Sequence, residues 1–418
     1  MKLNHAYALV FIFFGVLGVS IIVHNVEAVS GTIYIRADGS VDPDTAPIST
    51  VDNVTYTFLG NIIYDSIVVE KDNIVVDGAG YTLQGTRSEI GIYLLLRSNV
   101  TIKNMEIKNF WAGIQLSFAW NNTISGNNIT ACDYYGIYMT LSASHNTISG
   151  NTITGPVGPD FSGIYLGENS GNNIISGNNM LGFYLAGILG EGSSNNIISG
   201  NTIKDSFNGI YLDGGSNNRI YHNNFINHAD DCFCPLSTTL DAGYPLGGNY
   251  WDRYNGADLF SGLFQNETGS DGIGDTHYFV DGSSDNYPLM GMFSEFNATS
   301  EYHVQTICDS SISDFQFNGT AICFNVTGET DTAGFCRICV PRALMNETYQ
   351  VFVNGTEVQC NLLPCSNTTH SYLYFTYNHS TQEVIIIPEF PSFLILPLFM
   401  TTTLLAAIVY RRKRTAEH

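Results

Sequence analysis

Basic side chains are scarce in this chain: 16 Lys and Arg stand against 38 Asp and Glu over 418 residues, a formal net charge of −22. A polyanion would meet a repelling field over most of such a surface, so nucleic-acid binding is excluded as a function class. The sequence also lacks a Ser/His/Asp arrangement, a phosphate-binding loop or a zinc signature of workable spacing. The 3.6-residue apolar period of a surface helix is missing from its middle third.

What the middle third has instead is a repeat. Glycine recurs at 91, 113, 136, 163, 187 and 209, and isoleucine at 102, 124, 148, 175, 198 and 220, in steps of 22 to 27 residues. Five residues after each isoleucine stands another apolar residue, from Ile107 to Phe225. Within each unit the apolar side chains alternate, as in Ile114/Leu116 and Ile137/Met139, which is the period of a strand. Runs such as NTISGN supply Asn and Gly for corners, and the repeat length is that of a solenoid. The fold class expected is all-β: a right-handed parallel β-helix, followed by a small disulfide-containing β-sandwich and a C-terminal transmembrane segment.

Composition divides the rest. Residues 1–28 read as a signal peptide, with an apolar stretch from Ala6 to Val23 before the small-residue site Val26-Glu27-Ala28. Residues 29–90 read as cap strands, 91–228 as the rungs, and 229–293 as capping loops with an acidic turn. Residues 294–387 alternate Thr, Val, Phe and Tyr, hold six of the nine cysteines, and predict an Ig-like β-sandwich stapled by disulfides of open pairing, as suits an oxidising exterior. Residues 388–418 carry an apolar run from Ser392 to Tyr410 closed by Arg411, Arg412, Lys413 and Arg414, which is long enough to span a bilayer with the basic cluster inside. The body is therefore expected on the extracellular face of the membrane, anchored at its C-terminus. Glycosylation sequons gather in the later part, including Asn297, Asn318, Asn325, Asn346, Asn354 and Asn367, and mark it as a glycan-coated stalk.

The runs IVVEKDNIVVDGAGYTLQG, NNTISGN and GNYWDRYNG, with SDGIGDTHY and DNYPLM after them, resemble the NosD-type β-helix proteins of archaeal surfaces, a family linked to periplasmic copper binding. TGETDTAGFCRICVP with HSYLYFTYNHST is similar to the small sandwich domain often joined to them. Pro388-Glu389-Phe390 before the final apolar run resembles a PEF-type C-terminal sorting signal. That resemblance implies an archaeosortase as partner and transfer to a lipid anchor, so a mature chain without its basic tail.

Because inward columns of a solenoid are core, function is sought on outward columns and loops. The residue after each Gly-Ile step places Tyr138, Tyr165 and Tyr211, with Tyr93, on one outward face, where aromatic rings suit stacking on sugars; tyrosine also simply favours strands. Glu168, Glu191 and Asp213 each lie seven residues before a repeat isoleucine and form an acid column, the candidate catalytic set of a polysaccharide lyase or glycoside hydrolase, or else carboxylates splayed into water. His222, His228, Cys232 and Cys234 crowd one short loop, a ligand set for copper, or for disulfides in an oxidising milieu. Asp271 and Asp275, with Asp258 as a candidate third ligand, resemble the family's acidic calcium turn, with Gly269 where a further aspartate often stands. No cofactor is required by this reading. The protein is expected to act as a binding or structural module for extracellular polysaccharide or surface glycoproteins, with the enzyme and the copper protein as alternatives.

Overall fold

The computed structural model describes residues 31–155, 161–345 and 348–388. The expected signal peptide, the sequon at Asn346 and residues 389–418 of the expected sorting and anchor segment lie outside them. Every regular element among the described residues is a strand, and no helix there is long and apolar enough to cross a membrane. The described residues divide into two compact units: one comprises those from 31 to 220 with 225–239 and 280–283, the other 221–224, 240–279 and those from 284 to 388.

The first unit is the right-handed β-helix. Its first sheet runs in parallel pairing from Thr32–Ile35 through Ser66–Val69, Ile90–Leu95 and each later coil to Asp230–Phe233. In the second sheet Ile102, Ile124, Ile148, Ile175 and Ile198 are direct register partners from coil to coil, and with Ile220 they are fully buried. The third sheet stacks Leu83, Ile107, Ile129, Ile153, Met180 and Ile203 in the same way. The cap expected over residues 29–90 is corrected by this register. Ser66–Val69, Ile74–Asp77 and Thr82–Gln84 pair in parallel with the strands of the following coil, so the solenoid begins well before the first Gly-Ile step.

Two asparagine ladders pin the corners. In one, Asn127, Asn151, Asn178 and Asn201 each pass an amide N–H to the side-chain oxygen of the next, at 2.9–3.1 Å. In the other, Asn122, Asn146, Asn173, Asn196 and Asn218 do the same at 3.0–3.2 Å. Each oxygen also accepts a backbone N–H of the preceding coil, so buried corner amides that have left the sheet ladder stay paired.

A further corner, at the exit of the first sheet, is left-handed in six successive coils: Leu96, Phe118, Leu141 with Ser142, Asn169, Gly192 and Gly214 all have φ between 48° and 77°. Glycine meets that demand without cost, whereas Leu96 and Phe118 hold bulky side chains there against a steric penalty.

The second unit contains two five-stranded antiparallel sheets. Their apolar residues, among them Val304, Ile322, Phe324, Ile338, Leu373 and Ile386, form one buried cluster. Residues 240–279 and 284–293, expected as loops covering the solenoid, belong to this unit. Ile273, Leu289 and Phe293 pack with Ile307, and the Asp271 carboxylate lies 3.5 Å from the Arg337 guanidinium with both side chains buried. All nine cysteines of the chain, six of them in this unit, are thiols in this structure.

Candidate functional site

The outer face of the first sheet is set by strand alternation. The inward residues of each strand, such as Ile137 and Met139, are fully buried, which turns Tyr138 between them outward. Coil register then stacks Gln115, Tyr138, Tyr165, Leu189, Tyr211 and Phe233 as direct neighbours. Tyr138 and Tyr165 are 5.1 Å apart between ring centroids, and Tyr211 stacks on Phe233 at 4.7 Å. Leu189 divides the column, so the expected Tyr138 and Tyr165 stand together and Tyr211 in a separate stack.

Around Tyr138 the platform is larger than the column alone. Tyr135 stacks on it at 4.6 Å, Trp111 meets it edge-on at 5.5 Å, and Tyr134 lies 5.6 Å from Trp111. These three were not anticipated. Trp111 and Tyr134 each stand two residues before the repeat glycine, an offset that also carries Phe161 and Phe207, so the signal was in the sequence. Five aromatic rings on adjoining coils, each with a face or edge toward solvent, make a surface matched to the apolar faces of pyranose rings.

The acid column borders this platform. The Tyr165 hydroxyl donates to Glu191 at 2.7 Å, and burial together with that carboxylate raises the phenol well above its ordinary range. Glu191 and Asp213 are register partners on adjacent coils. With Glu168, Asn169 and Gly192 they line an open cleft of about 400 Å³. The cleft opens where the left-handed lip loses its side chains: Leu96 and Phe118 occupy that lip in early coils, Gly192 and Gly214 in late ones. The structure thus brings all three candidate carboxylates together. None of the first-sheet strands from Ile90–Leu95 to Asp230–Phe233 contains a lysine or arginine.

The remaining candidates are engaged otherwise. His222 Nε2 lies 2.9 Å from the Leu246 carbonyl, and burial pushes its imidazole down to about 4. His228 Nε2 lies 3.0 Å from the Ile203 carbonyl, and the neighbouring Cys234 thiol together with burial raises the Cys232 thiol well above its usual range. Asp271 accepts the Ile273 N–H, and Asp275 those of Leu259 and Phe260. Among the described residues no group of three or more His, Cys, Asp or Glu side chains is arranged to hold a metal ion. Of the glycosylation candidates, Asn297, Asn318, Asn354 and Asn367 are exposed, while Asn325 is half-buried and donates to Asp314.

Two carboxyls of the second unit give it a pH dependence. Burial drives Asp258 up to about 7 against hydrogen bonds from the Asp271 and Gly272 amides. Burial likewise drives Asp285 up to about 7 against bonds from Asn249, Trp251 and Tyr287. The folded unit therefore binds protons more tightly than the unfolded chain between roughly pH 4 and 7. Its thermal midpoint should rise as pH falls from about 8 to 5, and Asp285→Asn should flatten that rise; a midpoint that drops steadily over this range would contradict the assignment.

Residues 48–160 and 90–240 match the family described as the right handed beta helix region. No curated protein matches the chain. Similar solved structures include a DFA-IIIase mutant from Arthrobacter chlorophenolicus A6 in complex with DFA-III, at 18% identity over 49% of this chain and 44% of that one, TM-score 0.31. Alginate lyase from Paenibacillus sp. str. FPU-7 is similar at 14% identity over 46% of this chain and 92% of that one, TM-score 0.26. The tailspike of E. coli bacteriophage HK620 in complex with a pentasaccharide is similar at 11% identity over 79% and 76%, TM-score 0.26. The chain spans less than half the length of the DFA-IIIase, and the likeness in each case is one of fold.

Proposed function

We propose that this β-helix binds polysaccharide along the outer face of its first sheet. The observation that carries the reading is the cluster of Trp111, Tyr134, Tyr135, Tyr138 and Tyr165 on successive coils, with the Glu191 carboxylate at its edge to accept sugar hydroxyls. The charge pattern narrows the ligand. A face without lysine or arginine in its strands, flanked by Glu168, Glu191 and Asp213, repels uronates and phosphorylated sugars and favours glycans that carry no anionic group. A lyase acting on uronic acids would need a cation beside the sugar carboxylate, so that part of the enzyme alternative is the less favoured.

A glycoside hydrolase remains the second reading, because Glu191 and Asp213 are register partners on adjacent coils and line one cleft with Glu168, which offers the pair of carboxyls that such an enzyme needs. The same proposal places the protein on an archaeal cell surface as a NosD-type glycan-binding module, its Ig-like domain toward a PEF-sorted lipid or membrane anchor. Support for that placement is the sequence resemblance and the order of proline-glutamate-phenylalanine, apolar run and basic tail.

The test is a glycan array followed by calorimetry on the selected sugar. Tyr138→Ala with Tyr165→Ala should weaken binding by about tenfold or more, since each stacked ring contributes about 0.5–1.5 kcal/mol. The melting midpoint should move far less than in a core variant, as both side chains face outward. Unchanged affinity in the double variant would remove this face from consideration. Turnover that vanishes in Glu191→Gln while binding persists would turn the reading to the hydrolase.

A further inference from the structure

The six cysteines of the second unit are not equivalent. Cys308 ends the strand His303–Cys308 and Cys336 lies in the antiparallel strand Ala333–Pro341, where the two are direct register partners. Directly opposed residues of an antiparallel pair share one face of the sheet with Cα atoms about 4.5–5.5 Å apart, inside the span a disulfide bridges. Both side chains belong to the apolar cluster, and the Cys308 thiol is close enough to Cys336 to help raise its thiol well above the usual range. Cys308 Sγ also lies 3.1 Å from the Phe335 carbonyl and 3.4 Å from the Tyr377 hydroxyl. The other four have no such opposite. Cys323 faces Gln316 and Ile385 across its two strands, Cys360 faces Phe375, and Cys339 faces Tyr372. Cys365 packs near Cys339, from outside any strand.

We propose that Cys308 and Cys336 are the cross-linking pair of this domain, joined into a cross-strand disulfide by thiol–disulfide exchange with a disulfide oxidant such as oxidised glutathione. The Cys308 thiolate attacks one sulfur of the oxidant, forming a mixed disulfide and expelling one oxidant thiolate, and the Cys336 thiolate then attacks the Cys308 sulfur of that mixed disulfide, forming the Cys308–Cys336 bond and expelling the second oxidant thiolate. In net terms two protein thiols and one oxidant disulfide become one protein disulfide and two oxidant thiols, the two protons and two electrons passing to the oxidant. Because Cys336 is fully buried and Cys308 nearly so, the exchange takes place before the sheet closes, and the finished bond is shielded from reductants.

The pairing is independent of the glycan reading. The full chain, folded in a glutathione redox buffer, is unfolded without reductant, alkylated, digested and mapped by mass spectrometry. A linked peptide pair holding Cys308 and Cys336, two hydrogens lighter than the sum of its parts and separated by reductant, is the expected result. Alkylation of both residues before any reduction, or linkage of either one to a different cysteine, would overturn it. The unmutated chain decides the matter, so the result does not depend on a cysteine variant folding.

Discussion

Asn151→Ala is expected to destabilise the β-helix by about 3 kcal/mol, a cost out of proportion to the few atoms removed. The Asn151 side-chain oxygen accepts the Asn127 backbone N–H at 3.0 Å and the Asn127 side-chain N–H at 3.1 Å. Its own amide donates to the Ile124 carbonyl at 2.9 Å and to Asn178 at 3.0 Å. Asn127 and Asn151 are both buried, so the orphaned Asn127 N–H meets no solvent. An unsatisfied buried donor alone costs about 1–3 kcal/mol, and the lost ladder bonds add to it. Asn151→Asp should not rescue stability near neutral pH, since it replaces the donor with an acceptor facing Asn178 Oδ1. Urea unfolding followed by circular dichroism checks both; a midpoint within error of the unmutated chain for Asn151→Ala would mean that the ladder is dispensable.

Ile175→Ala should cost about 2–5 kcal/mol by a different physics. Ile175 sits fully buried between its register partners Ile148 and Ile198. The lost transfer energy is therefore joined by a cavity term, as neighbours held on a regular sheet relax little. The two substitutions differ in a readable way. The alanine at 175 leaves an apolar void that Ile175→Val should largely restore, whereas no apolar residue restores position 151. Equal losses for Val and Ala at 175 would argue against a tightly packed stack.

The solenoid was legible because its demands recur. One isoleucine column, one ladder beginning at Asn127 and one outward tyrosine column each keep a fixed offset from the repeat glycine or isoleucine, and the register places them as those offsets require. The second ladder was equally periodic, two residues before each repeat isoleucine, from Asn122 to Asn218, and was passed over among so many asparagines. The early coils were hidden because they meet the same geometry with other residues: Val76 takes the place of Ile102, and Met105 that of the ladder asparagine. The acid cleft could be found as a column, but its opening depends on Gly192 replacing bulk at the lip. Nothing periodic announces Asp271 meeting Arg337 from 66 positions away, so the loops of residues 240–293 could not be assigned to the second unit by pattern.

The coil rise of about 4.8 Å is close to the length of one pyranose unit in an extended polysaccharide. A sugar chain laid along the solenoid axis would therefore meet the same outward position once per monomer, as a rack meets a pinion. Recognition on such a surface is commensurate: each added coil extends the contact by one sugar, and deletion of a whole coil shortens it by one without disturbing the phase of the rest. If the proposed glycan lies there, the interruption at Leu189 would be a missing tooth between Tyr165 and Tyr211 and would fix where along the glycan the acidic residues fall.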